Sequence, residues 1–192
     1  MRCIRIRSLL LAMLILRAAF IAPAQTVPPG KSTKLQENLP SSLSREIQHQ
    51  LWTLPYYSVF DSINFTLEGK KVTLTGQVLR HSLKDSAEAA VKNLDGVDVV
   101  VNQIEVLPAS PSDDDLRRAV YRALYEDHTL ERYATQPVPP IHIIVKDGNV
   151  ALEGFVESLA DKNLAANRAS TVAKILSLKN NLVVRPKGAA RE

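Results

Sequence analysis

Cysteine is almost missing from this chain: one occurs in 192 residues, Cys3, beside the N-terminus. The rest of the sequence therefore has neither disulfides nor thiol chemistry. Aromatic residues are also few, at 5%. The hydrophobic fraction of 45% and the charged fraction of 23% are nonetheless typical of a globular protein. The length suits one ordinary domain or two small ones.

The apolar run near the N-terminus, S-L-L-L-A-M-L-I-L, is shorter than the roughly 20 residues that a transmembrane helix needs. It follows the basic stretch M-R-C-I-R-I-R and precedes A-P-A, a small-residue pattern that signal peptidase recognises. We therefore predict that residues 1–24 are an export signal cleaved after Ala24. Because Arg17 interrupts this region, an uncleaved N-terminal anchor is the alternative. Cys3 does not follow a lipobox, so we expect no lipid attachment.

Excess positive charge is also missing once the signal is removed. The whole chain has 24 Lys and Arg against 20 Asp and Glu, a net charge of +4. The signal contains four arginines and no acidic residue, so cleavage leaves 20 basic residues against 20 acidic ones and a net charge of zero. Nucleic-acid binding needs a basic surface, and we therefore predict no nucleic-acid partner.

Motifs for catalysis are absent as well. There is no G-x-S-x-G, no phosphate-binding glycine loop and no H-E-x-x-H. His49, His81, His128 and His142 do not have the spacing of metal ligands. The run from Asp113 to Asp115 lacks the glycine and distal glutamate of an EF-hand loop. We predict no enzyme, no catalytic residue, no cofactor and no metal site.

An internal repeat dominates what is present. The stretch V-T-L-T-G-Q-V from Val72 recurs as V-A-L-E-G-F-V from Val150, and this offset of 78 residues holds without a gap from Ile63 to Val106. Upstream the offset is 73, so the second copy has five extra residues around the P-V-P-P stretch. Two copies of one small domain follow. The predicted order is a flexible segment (25–40), repeat 1 (41–107), a linker (108–111), repeat 2 (112–186) and a tail (187–192).

Each repeat has the same predicted elements. Apolar residues at i, i+4 and i+8 indicate a first helix, and Ser112 is the predicted cap of that helix in repeat 2, with Asp113 to Asp115 as its acidic first turn. Two alternating strands, a second helix and a last strand follow. A right-handed crossover between parallel strands then predicts an α+β fold, helix–strand–strand–helix–strand, with a mixed three-stranded sheet and two helices on one face.

Two-residue turns at Gly69-Lys70 and Asp147-Gly148 set the strand register. They place Gly76 and Gly154 opposite isoleucines on the core side, where we expect a side chain to collide with the packing helix or with the isoleucine. His142 lies opposite Glu153, as a polar pair on the open sheet face.

Two asparagines occupy the core-facing phase of the last strands, Asn102 in repeat 1 and Asn180 in repeat 2. An amide in such a position needs hydrogen-bond partners. We interpret each as a structural amide that holds a neighbouring loop, with a ligand contact as the alternative.

These motifs resemble the BON domain, a family named after bacterial osmotically inducible periplasmic proteins and nodulation proteins. The resemblance rests on V-T-L-T-G-Q-V followed by G-V-D-V-V-V-N-Q-I-E-V from Gly96, and on V-A-L-E-G-F-V followed by K-I-L-S-L-K-N-N-L-V-V from Lys174. Repeat 2 departs from it at Lys174, where the family often has glycine. The resemblance implies an α+β fold, a periplasmic location, binding to phospholipid or envelope proteins, and no catalysis.

Two surfaces of repeat 2 are candidate contacts. Along its first helix an arginine–tyrosine stripe is suited to an anionic lipid headgroup layer; the alternative is packing by the tyrosines, with solvated arginines. The stripe and its neighbour are Arg117, Arg118, Tyr121, Arg122 and Tyr125. The other surface is the apolar open sheet face of Ile144, Phe155 and Val183, which repeat 1, a partner or lipid could cover.

The function predicted from all this is a non-enzymatic exported envelope protein that binds membrane phospholipid and supports the envelope under osmotic stress. The alternative is a protein–protein adaptor that uses the apolar sheet face of repeat 2. The short linker, which reaches at most about 17 Å, predicts that the two repeats pack on each other.

Overall fold

The structure is a computed structural model that describes residues 38–136 and 139–185, with side chains from residue 42 onward. The predicted signal peptide (1–24) and tail (187–192) lie outside the described residues. Residues 25–37 of the predicted flexible segment (25–40) also lie outside them, and the first helix begins at Asn38. Within the described part, no helix has both the length and the apolar character needed to cross a bilayer.

Repeat 1 contains two helices and four strand segments. Their bounds are α1 (Asn38–Trp52), β1 (Ser62–Glu68), β2 (Lys71–Val78), α2 (His81–Lys92), β3 (Val99–Asn102) and β4 (Glu105–Val106). Strand β1 is antiparallel to β2, while β3 and β4 are both parallel to β2.

Repeat 2 follows the same order with one extra helix. Its elements are α3 (Pro111–Tyr125), α4 (Glu131–Ala134), β5 (Ile141–Lys146), β6 (Asn149–Val156), α5 (Leu159–Ser170), β7 (Ser177–Asn180) and β8 (Val183–Val184). The strand directions and order match those of repeat 1. The predicted α+β fold of two tandem domains is confirmed.

The predicted hairpin register is confirmed in both repeats. In repeat 1 the pairs are Ile63 with Gly76, Phe65 with Leu74, and Glu68 with Lys71. In repeat 2 they are Ile141 with Gly154, His142 with Glu153, and Ile143 with Leu152.

The sequence pattern predicted one continuous last strand in each repeat. In the structure this strand is broken after an asparagine. Strand β3 ends at Asn102 and β4 begins at Glu105. The side-chain oxygen of Asn102 accepts a hydrogen bond from the backbone N–H of Ile104 within the break. The Asn102 side chain thus provides a hydrogen-bond acceptor at the break between β3 and β4, beside Gly76 of β2.

Gly76 and Gly154 are required by a close backbone approach. A Cβ at Gly76 would lie 2.1 Å from the carbonyl oxygen of Ser62, and one at Gly154 would lie 2.0 Å from that of Pro140. Both glycines also have positive φ, +116° and +99°, which side chains disfavour. The expected collision with the helix or the facing isoleucine was wrong: the obstacle is the backbone just before that isoleucine.

Each repeat has its own hydrophobic core between its helices and its sheet. Apolar residues of the first and second helices lie in these cores, including Ile47, Leu51 and Ala87 in repeat 1. The core of repeat 2 also receives Val59 and Phe60 from repeat 1.

The N-cap of helix α3 lies two residues before the predicted one, Ser112. Ser110 is the N-cap, because its hydroxyl accepts a hydrogen bond from the N–H of Asp113, and Pro111 is the first helical residue. Proline suits that position, where its fixed φ is helical and no N–H is needed. Ser112 therefore lies inside the first turn.

The longer loop of repeat 2 contains α4, which contributes Arg132 and Tyr133 to a buried polar network that the sequence pattern did not reveal. Asp161 accepts hydrogen bonds from Arg132, Tyr133 and Ser158, at 2.6, 2.9 and 2.7 Å. The Tyr133 hydroxyl in turn accepts one from the N–H of Glu157.

In repeat 1 the carboxylate of Asp61 performs the equivalent task, accepting from the N–H of Leu79, which lies 78 residues before Glu157. The two repeats thus satisfy one backbone position with different side chains.

We expect Gly76→Ala to destabilise repeat 1 more than Gly69→Ala does. Both substitutions force alanine into a positive φ, which costs about 1–2 kcal/mol. Gly69 has no heavy atom within 4 Å of an added Cβ, whereas Gly76 adds a backbone collision of about 1–3 kcal/mol. Thermal unfolding of the two variants measures the difference, and equal losses would show that the backbone around Gly76 relaxes freely.

Candidate contact surfaces on repeat 2

Helix α3 presents Arg118 and Arg122 to solvent on one side. They line a groove of about 360 Å³ between α3 and the segment that follows α5. Lys174 lies on the opposite wall with a positive φ of 70°, at the position equivalent to Gly96 of repeat 1. Three basic side chains therefore surround this groove, which we call the α3 groove.

Part of the lining of the α3 groove is apolar. It includes Leu116, Ala119, Val172 and Ala173. Arg118 forms an ion pair with Asp115, while Arg122 makes no ion pair with any residue in the described ranges. A groove lined by cations and by small apolar side chains can accept a phosphate group with an attached hydrocarbon portion.

Arg117 and Tyr125 do not belong to this surface, although the sequence pattern had placed them beside or within the stripe. Arg117 is buried and donates to the carbonyl of Val145 and to Asp114. The buried Tyr125 hydroxyl donates to the carbonyl of Ile141 at 2.9 Å. Burial raises the pKa of Tyr125, which keeps this hydroxyl a donor. Both side chains cap the outer edge of β5.

Tyr121 lies between the exposed and the buried sides of α3, with 38% of its surface exposed. Its ring centroid is 4.9 Å from that of Tyr125 and 6.1 Å from that of Phe60 in repeat 1. The tyrosines of the stripe therefore pack within the protein, as the alternative interpretation had it. Arg118 and Arg122 remain the accessible part of the stripe.

The second candidate surface is not one continuous apolar patch. Ile144 is only 3% exposed, in a cleft of about 450 Å³ that also includes Gln77 of repeat 1. Phe155 is half-buried beneath the guanidinium of Arg185, and Val183, its partner on β8, is 55% exposed. Only the Phe155–Val183 end presents apolar surface to a partner.

The two repeats contact each other along β5. The N–H of Ile143 donates to the carbonyl of Val59 at 2.7 Å, and Lys146 forms an ion pair with Glu105 at 2.6 Å. The hydrogen bond from Lys146 lowers the pKa of the Glu105 carboxyl, and a hydrogen bond from Gln77 makes a smaller contribution in the same direction. We call this contact the joint. The apolar pair Val59 and Phe60, in the loop before β1, is the feature of the sequence that corresponds to this contact.

His142 lies inside the joint rather than on an open sheet face. Its ring packs on that of Tyr57 of repeat 1, with centroids 5.5 Å apart. Glu153 is its strand neighbour as predicted, but the Glu153 carboxylate accepts a hydrogen bond from Asn181 instead. The predicted polar pair is therefore wrong in its contacts, because repeat 1 covers the histidine.

The acidic start of α3 has a structural role beyond the helix dipole. The buried carboxylate of Asp113 accepts from the N–H groups of Asp147 and Gly148, at 2.9 and 3.0 Å, and so anchors the hairpin turn. Asp114 and Asp115 pair with arginines one turn later. Across residues 38–136 and 139–185, no group of acidic or histidine side chains could hold a metal ion.

The sequence profile of the BON domain matches residues 34–108 and 112–186, which together form most of the chain. The chain belongs to the BON-domain family. Its two BON repeats correspond to the two sheets described above.

Two of the solved chains that match come from CdsD, a structural protein of the Type III secretion system of Chlamydia trachomatis. One is 13% identical, over 77% of this chain and 94% of that chain, with a TM-score of 0.31. The other, the C-terminal domain of CdsD, is 14% identical, over 75% of this chain and 98% of that chain, with a TM-score of 0.27. Among curated proteins, none matches this chain.

Both BON repeats use an asparagine to bind the second helix to the last strand. Asn102 donates to the carbonyl of Lys84 at 3.0 Å and to Glu88, and Asn180 donates to the carbonyl of Lys162 at 2.8 Å. The amides therefore hold a helix and the strand break, where a neighbouring loop had been expected.

We expect Tyr125→Phe to destabilise the second BON repeat by about 1–3 kcal/mol, because the carbonyl of Ile141 loses its donor while staying buried. Tyr121→Phe is the matched control: it removes a hydroxyl from a partly exposed tyrosine of the same helix. Chemical unfolding measures both. Equal stabilities of the two variants would contradict the role of Tyr125 as an edge cap.

Proposed function

We propose that this chain is a non-enzymatic, exported protein of the bacterial envelope that binds anionic membrane phospholipid and supports the envelope under osmotic stress. The proposal includes export by the N-terminal signal and a periplasmic location. BON domains occur in periplasmic and envelope proteins, which supports this placement.

The observation that carries the proposal is the α3 groove. Arg118, Arg122 and Lys174 surround it, and Asp115 is the acidic residue in its lining. Guanidinium groups can bind phosphate oxygens through two parallel hydrogen bonds, a geometry that a lysine cannot reproduce. The apolar part of the groove lining suits the part of a lipid that adjoins its headgroup.

The expected affinity is low. Each basic side chain near an anionic membrane surface contributes about 1 kcal/mol. Three such residues therefore give about 3 kcal/mol, less than the 4.1 kcal/mol of a millimolar dissociation constant. We infer reversible association that depends on a high density of anionic lipid, as expected for a protein that contacts the membrane surface without a permanent anchor.

We expect residues 25–192 to co-sediment with anionic liposomes and not with neutral ones, and Arg118→Glu with Arg122→Glu to weaken this binding more than tenfold. The charge reversals turn attraction into repulsion at residues that are exposed, where substitutions change stability little. Binding of the wild type should also weaken as salt rises, because exposed charges are screened.

The control is Lys92→Glu with Lys179→Glu, which changes the net charge equally at exposed positions outside the groove. Similar binding by the groove variant and this control would reject the groove as the lipid site. Binding that is equal on neutral liposomes would reject the electrostatic mechanism.

A protein–protein adaptor is the second candidate, and the exposed end of β8 favours it. Val183 and Val184 are exposed there, as is Leu159 at the start of α5. If Phe155→Ser with Val183→Ser abolishes binding while the groove variant does not, the sheet face is the contact and the lipid proposal fails.

A further inference from the structure

His142 is a titratable side chain that the joint buries without a full set of hydrogen bonds. It is 8% exposed, and its Nδ1 has no hydrogen-bond partner among the described residues. Its neighbour Ile143 donates the backbone hydrogen bond that connects β5 to Val59 of repeat 1. The ring is therefore positioned where a change in its charge acts directly on the joint.

The titratable groups that face the ring are Tyr57 and Asp61 of repeat 1 and Glu153 of β6. Burial raises the pKa of Tyr57 to about 12, so its hydroxyl stays neutral in the physiological range. The Asp61 carboxylate is occupied by the N–H groups of Leu79 and Ser58 and by the Ser58 hydroxyl. Glu153 accepts from Asn181. Neither carboxylate is hydrogen-bonded to the imidazole.

We propose that His142 makes the joint acid-sensitive: protonation of its ring releases the loop of residues 57–61 from the edge of β5. A protonated imidazole carries a positive charge and a second N–H, and in the closed joint Nδ1 makes no hydrogen bond with any described residue. A buried charge and an unsatisfied donor are both costly, and opening the joint hydrates them. The opened edge exposes the N–H of Ile143 to a new partner strand.

The direction of the effect follows from the burial of the ring. Desolvation lowers the pKa of His142, while the backbone groups of Ser58 and Asp61 and the charge of Asp61 act in the opposite direction without cancelling it. The closed joint therefore binds a proton less readily than the open one, in which the pKa returns to about 6.5. The closed state is fully favoured above that pH and loses stability as pH falls below it.

The rest of the joint keeps its charge in the same range. The Lys146–Glu105 ion pair persists through weakly acid conditions, because hydrogen bonding from Lys146 lowers the pKa of Glu105 below its ordinary acidic value. Between pH 7 and 5, the histidine is thus the group of the joint whose charge changes.

Amide hydrogen exchange tests the proposal on the whole chain after residue 24. The protection factor of the Ile143 N–H should fall by as much as tenfold per pH unit below about 6.5, the limit for uptake of one proton. The N–H of Asn181, which bonds to the carbonyl of Leu152 within repeat 2, should keep a constant protection factor. Constant protection of Ile143, or a parallel loss at Asn181, would overturn the proposal.

His142→Phe isolates the titrating group, since an aromatic ring of similar shape can still pack on Tyr57. In this variant we expect protection of Ile143 that no longer depends on pH, whereas His128→Gln, a substitution of an exposed histidine in the same repeat, should behave as the wild type. If His142→Phe keeps the pH dependence, another group causes it and the proposal is wrong.

Direct titration of the wild-type histidines by NMR adds a measurement that needs no variant. The resonances of His142 should titrate at a lower pH than the ordinary histidine value of about 6.5. Titration of His142 at or above that pH would show that the joint does not restrict protonation, and would overturn the proposal even if a variant failed to fold.

Discussion

The outer edge of β5 sets the constraint on which the rest of repeat 2 depends. An edge strand presents N–H and C=O groups that no neighbouring strand pairs, and a buried backbone group without a partner is costly. Here the carbonyls of Ile141 and Val145 are satisfied by Tyr125 and Arg117 of α3, and the N–H of Ile143 is satisfied by Val59 of repeat 1. One edge therefore links a helix, a strand and the other repeat.

This arrangement also decides which residues are available for binding. Since Arg117 and Tyr125 must face β5, the rotation of α3 about its axis is set, and Arg118 and Arg122 lie outward beside the α3 groove. Repeat 1 has Ser44 at the position equivalent to Arg117, and a serine is too short to make the same contact. The two repeats share a fold but not this edge.

The joint and the groove lie on different sides of the same helix. Tyr121 lies between them and packs on Phe60 of repeat 1. Helix α3 therefore contacts repeat 1 through Tyr121 and also bears the groove arginines. Among the described residues the joint combines a backbone hydrogen bond, an ion pair, ring contacts and the packing of Val59 and Phe60 against the core of repeat 2.

The sequence by itself determined the repeat, the order of elements and the hairpin register, because strand alternation and two-residue turns are local and leave little freedom. It also identified Gly76, Gly154, Asn102 and Asn180 as structural positions. Tertiary structure alone decided which polar residues of α3 are buried, that Asp113 anchors a turn, and that His142 is covered. Those outcomes depend on where repeat 1 contacts β5 and on which backbone groups need partners, and neither is encoded in a local pattern. A stripe of arginine and tyrosine along a helix has the same sequence pattern whether it caps a strand edge or faces solvent. Only the position of β5 beside α3 distinguishes the two.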